Sequence, residues 1–178
     1  MYRRLALILC TAVLAGLASL ASATTTVHLT DRALVEGAEL ILLGDAMEVT
    51  TTWVDRDLVT LVTVEVEEVI KGEVGESVEV ALPGGVDLTG PVPLAVTWPG
   101  APTLVPGERA VLFLESYGPV AGAFAITGWS QGKFIVQQGT DGGTEVYRSA
   151  AIGDEPGEGL VEFMAKVRSL LTVGEEAP

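Results

Sequence analysis

Hydrophobic and polar residues alternate through residues 58–85, and this alternation predicts a pair of β-strands. A period of two places successive side chains on opposite faces of a strand. The alternation slips by one residue at Glu67, which predicts a β-bulge that bends the first strand. The valines predicted to point inward from this strand are Val62, Val64 and Val66.

The second strand of the pair resumes the alternation from Ser77 and stops at Pro83. Its apolar positions predict that Val78, Val80 and Leu82 point inward, whereas Ala81 is predicted to point outward. The residues between the strands include Lys71 and two glycines, which favour a tight connection. A curved, bulged antiparallel pair fits a small barrel better than a flat sheet.

The residues before this pair predict a short helix and a long strand. Thr30 can cap a helix over residues 31–36 that stops at Gly37. Residues 39–54 read as a strand that is apolar on both faces at its start and bends at Gly44. A polar turn at residues 55–57 then predicts a hairpin with the strand that follows.

Residues 86–106 are rich in proline and predict a long surface excursion with at most one short strand, at residues 94–98. Beyond it, residues 109–114 (RAVLFL) are apolar on both faces and are predicted to lie at the sheet centre. Residues 123–128, 133–138 and 145–148 predict three further strands, and the last two are joined by a glycine-rich hairpin turn.

Apolar residues at three- and four-residue spacing predict a C-terminal helix over residues 156–172, with Gly174 past its end. The stripe comprises Leu160, Phe163, Met164, Val167, Leu170 and Leu171. The predicted fold class is mostly β. We expect a small antiparallel OB-like barrel or barrel-like sandwich, with the C-terminal α-helix packed on it, as a single domain over residues 24–178.

The first 23 residues have the pattern of a secretory signal peptide. Arg3 and Arg4 precede an apolar run over residues 5–20, and small residues ending at Ala23 form a cleavage site. We therefore expect a secreted or periplasmic protein that begins at Thr24. An uncleaved membrane anchor is the alternative, although the apolar run is short for a membrane span.

Charge and cysteine content limit the function classes. The chain carries a formal charge of −14, and loss of Arg3 and Arg4 would leave −16. This charge argues against nucleic acid and against an anionic membrane surface as partners, because both attract clustered Lys and Arg. It is typical of a soluble exterior, or of a surface for a basic partner or a cation. Cleavage would also remove Cys10, the only cysteine, and with it any disulfide or thiolate chemistry.

Several segments together resemble a group of exported bacterial proteins of unknown function, over most of residues 33–148. They are the strand ending in Gly44 and the runs VTVEVEEVIKG, SVEVALPGG, PGERAVLFL and GWSQGKF. The pattern is also similar, more distantly, to the OB-like barrel of the netrin and tissue-inhibitor-of-metalloproteinase type, where a strand likewise runs into a Lys-Gly turn. Inhibitors of that family chelate zinc through an N-terminal cysteine, and this chain has Thr24 there. The resemblance therefore implies a barrel that binds and does not catalyse.

The candidate binding residues lie in two loops. Trp98 belongs to the proline-rich excursion, and Trp129 opens a turn that continues through Gln131 to Lys133. A tryptophan outside an alternating strand is either a packing anchor for its own loop or a binding platform. Ser130 and Gln131 have a structural alternative, since they can satisfy buried backbone groups in a tight turn. We assign Trp98, Trp129, Gln131 and Lys133 to partner binding.

Catalytic and metal chemistry have weaker signals. His28 is the only histidine and lies in a polar lead, so a histidine-dependent triad is not expected. Asp55 and Asp57 flank a turn, but no run has the spacing of a calcium loop. We expect no cofactor, no metal and no enzymatic activity.

The sequence thus predicts an exported, non-enzymatic module that recognises a protein partner, an extracellular protease being one candidate. A structural envelope component is the main alternative, and a carboxylate-based extracellular hydrolase is a weaker one. The oligomeric state is left open.

Overall fold

The computed structural model describes residues 27–139, 142–149 and 157–175. Two α-helices and ten β-strands occur in these residues. In chain order they are α1 (Asp31–Gly37), β1 (Leu40–Val54), β2 (Asp57–Lys71), β3 (Ser77–Pro83), β4 (Gly85–Asp87), β5 (Leu94–Val96), β6 (Arg109–Ser116), β7 (Ala123–Ile126), β8 (Lys133–Gln138), β9 (Thr144–Arg148), β10 (Glu158–Gly159) and α2 (Leu160–Glu175).

Five of the strands close into a ring in the order β1-β2-β3-β7-β6, because β6 pairs back onto β1. All neighbours in the ring are antiparallel except β3 and β7, which are parallel. A five-stranded Greek-key ring is the architecture of the OB-like barrel. β8, β9 and β10 continue the sheet beyond β6. The predicted fold class, a mostly β barrel-like structure with a C-terminal helix, is confirmed.

The curvature of the barrel comes from the β1–β2 hairpin. Its register shifts between Leu43 and Gly44, where Glu67 has no partner on β1, and this is the bulge predicted from the sequence. Two further shifts bend the pair on either side. Gly44 is required at the bend, because a Cβ there would clash with the Glu65 carbonyl oxygen and the Val64 side chain.

The barrel interior is one of two large hydrophobic cores. Alternate residues of β1, β2, β3 and β6 fill it, and Leu104 from the proline-rich excursion is buried with them. The excursion therefore covers one mouth of the barrel. Thr30 caps α1 by accepting a hydrogen bond from the Ala33 backbone N–H at 3.2 Å, as predicted.

The second core lies outside the ring, where α1 and α2 cover the outer face of β1, β6, β8 and β9. At its centre Phe163 of α2 packs on Phe134 and Phe113, with ring centroids 4.6 and 6.4 Å away. All six residues of the predicted α2 stripe belong to this core. β1 and β6 are apolar on both faces because each contributes to both cores.

Ala81 points away from the barrel interior, as predicted, and it is buried there because β7 brings Ala123 against that side of β3. Two details of the sequence prediction are wrong. The excursion contains two short strands, β4 and β5, which pair with each other. The C-terminal helix begins only at Leu160, because Glu158 and Gly159 pair with β9 before it starts. The helix also runs further than predicted, through Gly174 to Glu175. Pro156 lies outside the described residues.

Candidate functional site

All three tryptophans of the chain are about half exposed, and each lies in the proline-rich excursion or contacts a residue of it: Trp98 belongs to it, Trp53 bonds to Asp87 and Trp129 lies beside Gly100. Trp53, near the end of β1, is 46% exposed, Trp98 is 51% exposed and Trp129 is 43% exposed. A half-exposed indole keeps a large apolar surface in contact with water. We call Trp53, Asp87, Trp98 and Trp129 the tryptophan strip.

Backbone turns position Trp98 and Trp129. Trp98 packs beside the backbone of Gly84, and Trp129 packs beside the backbone of Gly100. A Cβ added to Gly84 would lie 3.5 Å from Cδ1 of Trp98, and a Cβ added to Gly100 would lie 3.7 Å from Nε1 of Trp129. Trp129 itself has φ 68°, a left-handed conformation that a bulky side chain rarely adopts. The 98–101 turn, closed by the Ala101 N–H donating to the Trp98 carbonyl at 3.1 Å, therefore links the two tryptophans predicted from the sequence.

Trp53 is fixed by a hydrogen bond to β4. Its Nε1–H donates to Oδ2 of Asp87 at 2.8 Å, and Thr89 donates to Oδ1 through both its backbone N–H and its hydroxyl, at 2.8 and 2.6 Å. These bonds, that of the Thr89 hydroxyl first, lower the pKa of Asp87 below its ordinary value of 3.8, because they favour the ionised carboxylate.

The pKa of Asp87 should respond to these donors in a definite order. Thr89→Ala is expected to raise it most and Trp53→Phe to raise it less, since the Thr89 hydroxyl makes the larger contribution. A carboxyl-carbon NMR titration of Asp87 measures both changes. The stability that these hydrogen bonds contribute is fully present above the ordinary pKa of 3.8. It is lost as the pH falls through the lower pKa that Asp87 has in the folded protein. An unchanged pKa in Trp53→Phe would contradict the proposed bond.

Gln131, assigned to partner binding from the sequence, is buried beneath this surface with a relative exposure of 6%. Its side-chain oxygen accepts from the Leu29 N–H at 2.7 Å, and its side-chain nitrogen donates to the Val27 carbonyl at 2.9 Å. Gln131 therefore has the structural role that the sequence analysis gave as its alternative: its side chain satisfies backbone groups, here those of the N-terminal lead. Its amide is not available to a partner.

Lys133 is also buried, at 1% exposure. Its Nζ lies 2.5 Å from Oε1 of Glu108 and donates to the Thr103 carbonyl. The other carboxylate oxygen of Glu108 accepts from the Val105 N–H at 3.2 Å. Lys133 thus supports residues 103–108, at the end of the excursion, from inside the protein. It is too deeply buried to contact a partner directly.

A cluster of charged residues borders the second hydrophobic core, outside the ring. Asp31 at the start of α1 pairs with Arg148 and, at 3.1 Å, with Lys166, which also lies 2.5 Å from Glu158. These groups border a cavity of about 180 Å³ that Phe134 and Phe163 also line. Burial lowers the pKa of Lys166, but the bonds to Glu158 and Asp31 outweigh it and raise the pKa above 10.5. Each charged group in the cluster pairs with a group of opposite charge, so we interpret the cluster as ion pairs that fix α2 against α1 and β10.

Metal and membrane signals are absent from the described residues. No three His, Cys, Asp or Glu side chains in this part of the chain are grouped to hold a metal ion. Glu67 and Glu68, both in β2, instead pair with Arg109 and Arg168. Within the same residues, no helix is long and apolar enough to cross a membrane.

Sequence reasoning left Trp53 ambiguous between a packing anchor and a binding platform, and it did not single out Asp87. Trp53 was assigned to the end of a strand beside a turn, and nothing local indicates that β4 folds over it. The signal that could have found the pair is the polar residue Asp87 followed by Thr89, a spacing that favours a local turn.

No protein-family model matches the chain, and no curated protein matches it significantly.

Proposed function

We propose that the protein is an exported, non-enzymatic module that binds a protein partner through the tryptophan strip. The observation that carries this proposal is that all three indoles are about half exposed and that each belongs to the proline-rich excursion or contacts it. Tryptophan is the residue type most enriched among residues that dominate binding energy at protein interfaces. An extracellular protease remains the candidate partner class.

The strip is held in place by the fold, which favours tight binding. Trp53 is hydrogen-bonded to Asp87, and the buried Lys133–Glu108 pair supports the loop that follows Trp98. A surface fixed before binding loses less conformational entropy when the complex forms. Gln131 has a different role, since its amide bonds to Leu29 and Val27 of the N-terminal lead.

Affinity capture tests the proposal. The full chain is expressed in an export-competent host, and the intact mass of the product reports whether it begins at Thr24. The immobilised product is then exposed to secreted and envelope fractions of the source organism. We expect a retained protein whose affinity falls about 30-fold or more in Trp98→Ala, the loss typical of an interface hot spot of about 2 kcal/mol.

The matched control is Val161→Ala, because Val161 is 81% exposed on α2, outside the tryptophan strip. It should retain the partner with unchanged affinity. Equal retention by wild type and Trp98→Ala would reject the strip as the binding surface. Retention of no protein at all would favour a structural envelope component.

A further inference from the structure

The outer half of β1 has a free backbone edge. β1 pairs with β6 only from Leu40 to Asp45, and the contact ends where the Gly107 N–H donates to the Ala46 carbonyl at 2.7 Å. Beyond Ala46, β1 has no strand partner other than β2 among the residues that the structure describes. We call the open side of residues 48–54 the free edge.

The hydrogen-bond pattern shows which backbone groups face it. In a hairpin closed by two residues, Val54 and Asp57 form a hydrogen-bonded pair, and bonded and non-bonded pairs then alternate. The Gly84 N–H donates to the Leu58 carbonyl at 2.8 Å, so Leu58 faces β3 and not β1, as this alternation requires. The residues whose N–H and C=O point to the free edge are therefore Val49, Thr51 and Trp53.

This edge lacks two common protections against pairing, proline and lysine, and β4 packs on one face of it at Thr51 and Trp53 without pairing with its backbone. Proteins commonly blunt an edge strand with proline, lysine or a covering loop. Residues 48–54 (EVTTTWV) contain no proline and no lysine, and six of the seven are β-branched or aromatic types that favour strands. Val49 and Trp53 are 39% and 46% exposed beside it. The edge is thus suited to accept another strand.

The charge around the edge is strongly negative. Residues 45–107 contain 11 acidic and 2 basic residues. Among the described residues, every lysine and arginine except Arg56 contacts an acceptor within the protein. Acidic residues at or near the edge are Asp45, Glu48, Asp55, Asp57 and Asp87.

We infer that the free edge binds an extended, basic segment of the partner protein as an added β-strand. This inference rests on the proposed function and names the chemistry of the partner. Strand addition supplies main-chain hydrogen bonds to Val49, Thr51 and Trp53, and alternate side chains supply specificity. A second copy of this chain would bring its own net negative charge to the seam, and two surfaces of the same charge repel.

The two faces of the added strand have different requirements. Residues opposite Val49 and Trp53 should be apolar, since β-branched and aromatic cross-strand pairs stabilise a sheet. Residues on the other face lie opposite Glu48, Thr50 and Thr52, where lysine or arginine can pair with Glu48. Alternating apolar and basic residues satisfy both faces.

The probe is a fluorescent peptide of alternating valine and lysine, titrated into the protein at low salt. The comparison peptides are one with glutamate in place of lysine and one of identical composition with its valines and lysines in separate blocks. We expect the alternating basic peptide to bind at least about tenfold more tightly than either. On binding, the amides of Val49, Thr51 and Trp53 should become protected from hydrogen exchange, whereas those of Thr50 and Thr52 should change little.

Val49→Pro removes one outward donor and leaves the β2 ladder intact, and Val49→Thr keeps that donor. Circular dichroism confirms that both variants fold. Val49→Pro should weaken the peptide about fivefold to tenfold, and Val49→Thr should not. Equal binding by all peptides, unprotected edge amides, or protection by self-association without peptide would overturn the inference. Trp98-dependent capture of a partner in that case would still support the proposed function.

Discussion

Phe163→Ala is expected to destabilise the protein by about 3–5 kcal/mol, the usual cost of removing a buried aromatic ring from a core. Phe163 is 1% exposed and is the only aromatic residue that α2 contributes to the second core. The change leaves a cavity beside the Phe113 and Phe134 rings, which still pack on each other with centroids 5.4 Å apart. Urea unfolding measures the loss as a lower midpoint at a similar slope.

Val161→Ala on the same helix is the matched control. Val161 is 81% exposed, so its truncation should change stability by no more than about 0.5 kcal/mol. A loss below about 1 kcal/mol in Phe163→Ala would mean that α2 is not packed on the sheet as described. Retention of Trp98-dependent binding by the folded variant would place the binding surface away from α2.

Local patterns predicted the local structure well. The slip in alternation at Glu67 located the bulge, because an extra residue changes which face every later side chain occupies. Thr30 and the stripe on α2 likewise follow from chemistry within a few residues. Such features need no knowledge of which strand lies next to which.

Features set by distant strands were not readable. Ala81 is an outward position of its strand, as predicted, but its burial could not be predicted, because the parallel pairing of β3 with β7 covers it with residues from about 40 positions later. The start of the C-terminal helix was misplaced for a similar reason, since Glu158 pairs with Val146 of β9. Hydrophobic pattern alone cannot choose a partner strand across such separations.

The candidate site divides along the same line. Trp98 and Trp129 were selected because a tryptophan outside an alternating strand is either a packing anchor or a binding platform, and the structure brings Gly100, two residues after Trp98, beside Trp129. Gln131 and Lys133 were selected as neighbours of Trp129, but their polar atoms are used by Leu29, Val27 and Glu108. Those partners are between 25 and 104 residues away in the chain. Burial of a polar residue depends on such distant groups.

Removing one partner of the Lys133–Glu108 pair is expected to cost about 3–5 kcal/mol, whereas replacing both should cost much less. The Lys133 and Glu108 side chains are 2% and 13% exposed, so either charge alone would be left nearly without water. Lys133→Met leaves Glu108 unpaired, and Glu108→Gln leaves Lys133 unpaired at nearly constant volume.

The double variant Lys133→Met/Glu108→Gln buries no unpaired charge. It still leaves the Thr103 carbonyl without its donor, so we expect a residual loss of about 1–2 kcal/mol. Urea unfolding of the four proteins gives the coupling energy, which should exceed about 2 kcal/mol. Additive losses would show that the two charges do not interact in the folded protein. Because the pair supports residues 103–108, which follow Trp98 in the chain, both single variants should also weaken Trp98-dependent binding.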